Sequence, residues 1–330
     1  MDPPSYLLGY GFMNAQPLAS SSARIAVVPF QGWASNLLVA NGCVTLIITL
    51  DVGPRILSYT TADGLNPFWI ASDQAGRTDE SIWQIRGGHR LWIAPEDRIV
   101  SYFPDNAPVA WEQTGPLQVR LTPPPETTTG FQKQLEVELD PTGTRVTLIH
   151  RVTRLARSAT DCAIWALTVM APGGTAIMPQ PALGEHPRDL LPNRRQVLWP
   201  YTNLADPRWR FGAKFLRLRQ DASLGPTKLG LADSQGWCAY LYEGGCFVKT
   251  YGWNPAAVYP DGGCNFETFT NAKMLELESL GPLTRLRYGE SIEHRENWEL
   301  HPAPAAGAVL PDDELAGYFK SLHSGSSALA

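Results

Sequence analysis

The chain is predicted to fold as an all-β protein, a large antiparallel β-sandwich followed by a short C-terminal helix. Three observations predict it. Runs of β-branched and aromatic residues recur almost without interruption, whereas long helical periodicity is nearly absent. The 29 glycines and 28 prolines are spread through 330 residues rather than bunched, so turns are many and no interdomain linker stands out. No repeat of solenoid or propeller period is visible, which favours a sandwich built as one unit over a propeller.

The elements follow in order. "CVTLIITLDVGPRILSY" (43–59) is β-branched and broken by Gly-Pro, and "KQLEVELDPTGTRVTLIHRVTRL" (133–155) alternates on both sides of Asp-Pro-Thr-Gly-Thr, the pattern of a hairpin. Further strands are read at 162–170, 214–221, 237–252, 273–281 and 284–300. The one convincing helix is "PDDELAGYFKSLH" (311–323), in which Leu315, Tyr318, Phe319 and Leu322 share a face behind an acidic start. The expected division is an N-terminal extension at 1–27, the sandwich at 28–301, and the helix with a disordered "SGSSALA" tail at 302–330.

Composition narrows the function. With 44% hydrophobic residues the chain buries a substantial core, and a net charge of −5 with no Lys/Arg run argues against nucleic acid or an anionic membrane as partner. The first residues lack the basic and apolar regions of a secretory signal, and no segment has the apolar length of a membrane span. Five scattered cysteines without a CxxC pair read as buried thiols, and a cytoplasmic location is expected.

Chemistry concentrates in two stretches. In "WQIRGGHRLWIAPE" (83–96), His89, Arg86, Arg90 and Glu96 crowd with Trp83 and Trp92 around Gly87-Gly88, and aromatic plates beside hydrogen-bonding charges suit a sugar. In "YPDGGCNFETFTNAKMLELESLGPL" (259–283), Tyr259, Asp261, Asn265 and Glu267 lie in a polar turn-rich stretch, and Glu276 and Glu278 are two apart on a strand, hence on one sheet face. That face is either solvated or lines a cleft in which one carboxylate tunes the other as a base. Arg208 stands among tryptophans and polar residues in "RRQVLWPYTNLADPRWRFG" (194–212). No metal-ligand spacing, hydrolase nucleophile motif, phosphate loop or dinucleotide fingerprint is present.

The ordered segments "FQGWASNLLVANG", "DVGPRILSY", "GGHRLWIAPE", "YPDGGCNFETFTN", "LELESLGPL" and "LRYGESIEHRENWEL" resemble an uncharacterised domain family of the galactose mutarotase-like superfamily, over roughly residues 28 to 300. The likeness to the true aldose 1-epimerases is more distant. It implies a large antiparallel sandwich with a ligand cleft on one sheet. "LES" at 277–279, before Pro282 and "LRYGES", is similar to the epimerase passage that carries the catalytic base, which assigns that role to Glu278. "GGHR" is similar to their first histidine region, implying a substrate-binding or acid role for His89. The departures are equally plain: the strand that resembles the site of the second histidine reads "WALTVMAPGG", and Thr168, Val169 and Met170 offer no proton donor. The glutamine expected after the glutamate is also missing.

The expectation is a carbohydrate-active protein with mutarotase- or epimerase-like acid/base chemistry on a small-molecule sugar, needing no metal or cofactor. Glu278 takes the proton of the anomeric hydroxyl and His89, or a residue beside it, supplies one to the ring oxygen. Arg90, Glu96, Asn265 and Glu267 hold hydroxyls, Trp83 and Trp92 stack, and Tyr259 and Glu276 complete the binding set. Two alternatives stay open. One is a noncatalytic carbohydrate sensor; the other is a different acid/base reaction, such as elimination on a uronic acid, with Arg86, Arg90, Arg208 and Lys249 seating an anionic ligand.

Overall fold

The computed structural model describes residues 23–325 and consists of two large antiparallel sheets with one α-helix, Asp312–Gly325, after them. The expected tail falls almost wholly outside the described residues, as does most of the expected N-terminal extension. The first strand, Arg24–Phe30, begins inside that extension.

The first sheet runs in the order Arg24–Phe30, Trp33–Ala40, Val44–Thr49, Ile56–Thr61, His89–Ala94, Thr160–Met170, Leu275–Leu280, Phe266–Thr270, Thr227–Leu231 and Gln196–Leu198. Sheet order departs from chain order at its centre, where strands far apart in sequence become neighbours. The second sheet runs from Trp209–Phe211 through Phe215–Arg219, Thr175–Pro179, Trp237–Tyr242, Gly245–Tyr251, Ser291–His301, Val146–Arg154, Phe131–Leu139 and Gln118–Thr122 to Ala110–Gly115. The Gly-Pro break separates Val44–Thr49 from Ile56–Thr61, and the 133–155 hairpin forms as read.

One apolar core fills the space between the sheets. Leu229, Phe266, Leu275 and Leu277 from the first sheet meet Leu148, Phe247 and Trp298 from the second. Because side chains alternate along a strand, the residues between these point to the first sheet's outer face. That face carries a smaller cluster of Trp92, Ala94, Ala163, Trp165, Leu167 and Leu280. The helix covers the other side of the molecule: Leu315 and Phe319 pack on Ile177, Phe215, Ala239 and Val248 of the second sheet. Its acidic first turn suits the positive end of the helix dipole, and Asp312 is paired with Arg217 at 2.5 Å. The first sheet's outer face is therefore left to loops, and these supply the upper parts of a site.

The five cysteines are all unpaired. No helix of the described residues is long and apolar enough to cross a membrane.

Candidate functional site

Five adjacent strands place the residues of the outer face. Leu275–Leu280 pairs with Phe266–Thr270 so that Glu278 stands opposite Glu267, and with Thr160–Met170 so that Glu278 stands opposite Leu167. On the far side of Phe266–Thr270, Thr227–Leu231 contributes Lys228 and sets Gly230 opposite Glu267. On the other flank, His89–Ala94 contributes Arg90 opposite Leu167 and Trp92 opposite Trp165.

Lys228 is the centre of this arrangement. Its Nζ lies 2.7 Å from Glu267 and 3.0 Å from Glu278, and all three side chains are buried. The ammonium sits 4.7 Å from the ring centres of both Trp165 and Trp199, so it is sandwiched by aromatic faces as well as by carboxylates. The Trp165 indole N–H also donates to Glu278 Oε2 at 3.0 Å, while Oε1 of Glu278 has no hydrogen-bond partner. Trp199 can lie this low because Gly230 lacks a side chain: a β-carbon there would meet the Trp199 ring at 3.2 Å and the Cys264 sulfur at 2.4 Å.

One cation serves two buried carboxylates, and this sets their protonation. Burial raises Glu267 to about 8; Lys228 opposes the shift and the charge of Glu278 reinforces it. Burial also raises Glu278, again against the pull of Lys228. Lys228 itself stays protonated because its two carboxylates outweigh its desolvation. Burial thus favours a proton on this pair of carboxyls, whereas Lys228 and, at Glu278, the Trp165 N–H favour the charged form, the opposed pulls that suit a pair for giving and taking a proton.

Beside this triad lies an aromatic and cationic patch. Arg90 stacks over Trp92 at 4.5 Å and Trp83 at 5.4 Å, and its Nη1 is 2.9 Å from Glu276 Oε1, close but out of line for a hydrogen bond. Trp83, Trp92 and Tyr102 meet edge to face, and the Tyr102 hydroxyl donates to Glu96 Oε1 at 2.5 Å. Glu96, Arg98 and Tyr102 border a hollow of about 500 Å³ at the rim. Tyr201, raised to about 12 by burial, feels the charges of Lys228, Glu278, Glu96 and Glu267 at once, which ties rim to floor. A more enclosed cavity of about 170 Å³, lined by Pro54, Trp92, Phe103 and Pro124 among others, is mainly apolar and includes none of Glu267, Glu276 or Glu278. The outer face is the better candidate because reacting groups converge there.

His89 is not part of this face. It is the first residue of its strand and points, opposite to Arg90, into the space between the sheets. There it joins a buried polar network whose protons can be assigned. His150 Nδ1 faces the His294 carbonyl at 3.1 Å and must donate, which leaves its Nε2 to accept from His89 Nε2 at 2.7 Å. His89 Nδ1 then accepts from the Thr168 hydroxyl at 2.9 Å. His294 Nε2 donates to Ser279 at 2.6 Å, Ser279 donates to Glu296, and Lys249 pairs with Glu296 at 2.7 Å. Burial lowers all three histidines, His150 and His294 to about 3 and His89 well below its ordinary value, so all are neutral. His89, His150 and Glu296 bring ligand atoms within 4.8 Å of one another, but the 2.7 Å between the two imidazoles is the spacing of an N–H···N bond.

Of the residues expected from sequence, Trp83, Arg90, Trp92, Glu267, Glu276 and Glu278 come together, with Glu96 at the rim. The expected pairing of His89 with Glu278 does not form, because the two side chains leave opposite faces of the same sheet. Lys249 also lies between the sheets, donating to the Ala166 and Leu277 carbonyls besides pairing with Glu296. Arg208 is bound to Asp206 at 2.7 Å and to the Gly225 carbonyl. Asn265 braces the Asp233 turn through hydrogen bonds of 2.6 and 2.9 Å. Tyr259 stacks on Trp253 at 4.9 Å and accepts from the Asn254 backbone. Arg86 is taken up by Glu80, Asn106 and the Arg77 carbonyl. Sequence reading missed Lys228 and Trp165, and marked Trp199 only as one of several aromatics of 194–212 suited to a sugar platform; "TKLGL" carries no signal except the alternation that sets Lys228 beside Gly230 on one face.

No protein-family model matches the chain, and no curated protein matches it. Solved structures do. A galactose mutarotase-like protein from Lactobacillus casei superposes with a TM-score of 0.52 at 13% identity, covering 81% of this chain and 100% of that one. Galactose 1-epimerase from Lactobacillus acidophilus gives a TM-score of 0.53 at 10% identity, covering 85% and 99%. A TPR-domain containing protein from Parabacteroides distasonis gives 0.55 at 14% identity, covering 84% of this chain and 49% of that one. The chain has the galactose mutarotase-like fold.

Proposed function

We propose that the protein is carbohydrate-active and performs acid/base chemistry at the anomeric centre of a sugar bound on the outer face of the first sheet. The observation that carries this reading is the buried Glu267–Lys228–Glu278 group flanked by Trp165 and Trp199. Glu278 takes the proton of the anomeric hydroxyl, and Glu267, held protonated by burial beside a second carboxylate, gives one to the ring oxygen. The ring bond breaks, the aldehyde carbon turns and the ring closes with the proton transfers reversed. Lys228 keeps its proton and positions both carboxyls. Glu267 thus takes the acid role first read into His89. Trp83 and Trp199, which are only partly buried, are the plates on which the sugar's C–H faces stack, while Trp92 is packed beneath Arg90 and supports the floor; the kinship of fold with galactose 1-epimerase supports the choice of ligand.

Proton NMR of freshly dissolved aldoses and uronic acids tests the reading. The protein speeds anomer exchange, Glu278→Gln and Glu267→Gln each slow it at least about a hundredfold, and binding persists. Unchanged exchange in both variants overturns it. A second reading, a noncatalytic sugar-binding protein, is favoured by the absence of any histidine from the face; line broadening without exchange in the wild-type protein selects it.

A further inference from the structure

The acid/base groups occupy only one end of a row of residues that crosses the sheet. Gly230, Glu267, Glu278, Leu167 and Arg90 stand opposite one another in succession, and the pairing of Ile56 with His89 brings Arg55 to the place beyond Arg90. The row passes from two carboxylates, across an apolar step, to two guanidinium groups.

Two like charges side by side and out of water are unfavourable unless something answers both. Arg55 is fully buried and Arg90 nearly so. Arg55 Nη2 meets Asp105 at 2.7 Å, and Arg90 meets Glu276 out of line. Nε and Nη1 of Arg55, Nε and Nη1 of Arg90 and the Trp83 indole N–H all lack acceptors. Trp83 covers both guanidinium groups, at 5.8 Å from Arg55 and 5.4 Å from Arg90. Four guanidinium nitrogens under one half-buried indole, of which only Arg90 Nη1 has a carboxylate near it, together with the indole's own N–H, are more unanswered donors than packing requires.

We infer that Arg55 and Arg90, capped by Trp83, seat a carboxylate carried by the ligand, so that the sugar bound on this face is a uronic acid rather than a neutral aldose. This rests on the reading of the outer face as a sugar site. A planar carboxylate matches the planar guanidinium fork and accepts from several N–H groups at once. Arg55 and Arg90 are already balanced by Asp105 and Glu276, so the seat has spare donors but little spare charge. A monoanion fits that condition, whereas a phosphate dianion adds a second uncompensated charge beside Glu276 and Glu278. Burial and the fields of Arg90 and Arg86 push Arg55 down to about 10 despite Asp105, a penalty that a bound anion relieves. Two strand spacings, about 10 Å, separate the backbones of Arg90 and Glu278, and their side chains close much of that gap. A hexuronic acid, whose carboxylate stands on C5, one ring oxygen away from the anomeric carbon, spans what is left.

The test is calorimetric titration of the full chain with glucuronate, galacturonate, glucose, galactose and glucose 6-phosphate, with arginine Nε–H resonances followed in parallel. Uronates are expected to bind at least tenfold more tightly than the matching neutral sugars and to shift the Arg55 and Arg90 signals. Arg55→Gln collapses that preference. If this variant does not fold, Arg55→Lys, which keeps charge but loses the fork, reduces it. Equal affinity for neutral and acidic sugars in the wild-type protein overturns the inference, as does a preference that survives in the Arg55 variant or one for the phosphate alone. Acetate isolates the seat from the sugar site: shifted Arg55 and Arg90 signals without binding of any sugar mean that the sugar reading has failed and the carboxylate seat stands. Unshifted arginine signals with acetate and with every uronate mean that the seat does not exist.

Discussion

At Lys228 a single ammonium answers two carboxylates that face each other across a strand pair, and it does so from a third strand. Removing one partner of such a buried group is costly because the charges left behind cannot reach water. Lys228→Met is expected to destabilise the fold by about 3 kcal/mol at pH 8, in the range measured for broken buried pairs. Without the ammonium, both glutamates move further above their unfolded values. A carboxyl with a raised folded pKa stabilises below its unfolded value and loses that contribution as pH rises through the folded one. The deficit of the variant should therefore shrink as pH falls toward 5. Urea denaturation of both proteins at pH 5 and pH 8 checks this, and a deficit independent of pH would mean that Lys228 acts by packing alone.

The strand His89–Ala94 owes its position to the pair of glycines before it. Gly87 and Gly88 have φ of +97° and +66°, and a β-carbon would lie 2.1 Å from the Trp69 carbonyl oxygen in one case and 2.3 Å from the Ile56 carbonyl oxygen in the other. The chain can turn into the sheet at this point only without side chains. Gly88→Ala is expected to cost about 2–4 kcal/mol, since both backbone conformation and contact are violated. The same change displaces Arg90 and Trp92, so ligand affinity falls along with the urea midpoint. Affinity and midpoint both at wild-type values would show that the approach is not as close as described. This element was partly legible: the glycines marked an unusual backbone, but His89 and Arg90 were both expected in the cleft, and only the strand that forms over His89–Ala94 sets them on opposite faces. Pairing His89 with Glu278 needed the opposite faces of two strands to coincide, which alternation within either strand does not decide.

The whole molecule is held at its centre by both apolar packing and the histidine network between the sheets. His150 and His294 have folded pKa values near 3, against about 6.5 in an unfolded chain. A histidine kept neutral by folding stabilises fully above its unfolded pKa and loses that contribution as pH falls toward the folded one. Each therefore contributes a slope of about 1.4 kcal/mol per pH unit between pH 6.5 and 3. Glu267 works in the opposite sense, stabilising below its unfolded pKa and losing that contribution up to about 8, so the net profile mixes the two. Nitrogen-15 spectra separate them. His150 should be protonated at Nδ1, His89 and His294 at Nε2, and none should titrate between pH 8 and 5; a ring titrating near 6.5 would contradict the assigned network.

Periodicity along the chain determined the all-β class, the hairpin at 133–155, the C-terminal helix and the shared face of Glu276 and Glu278, because each depends only on residues a few places apart. It did not reveal the short strands at 196–198, 209–211 and 227–231, which are too brief to show a pattern. Tertiary structure alone decided that Lys228 lies between Glu267 and Glu278, that Trp165 and Trp199 enclose it, and that His89, Lys249 and Glu296 belong to the interior. The physical reason is that alternation tells which residues of one strand share a side, whereas a site is made by the order in which strands pair. Here that order joins residues 90, 167, 278, 267 and 230 into one row. No local propensity encodes those neighbours; the burial of a common core between two sheets selects them.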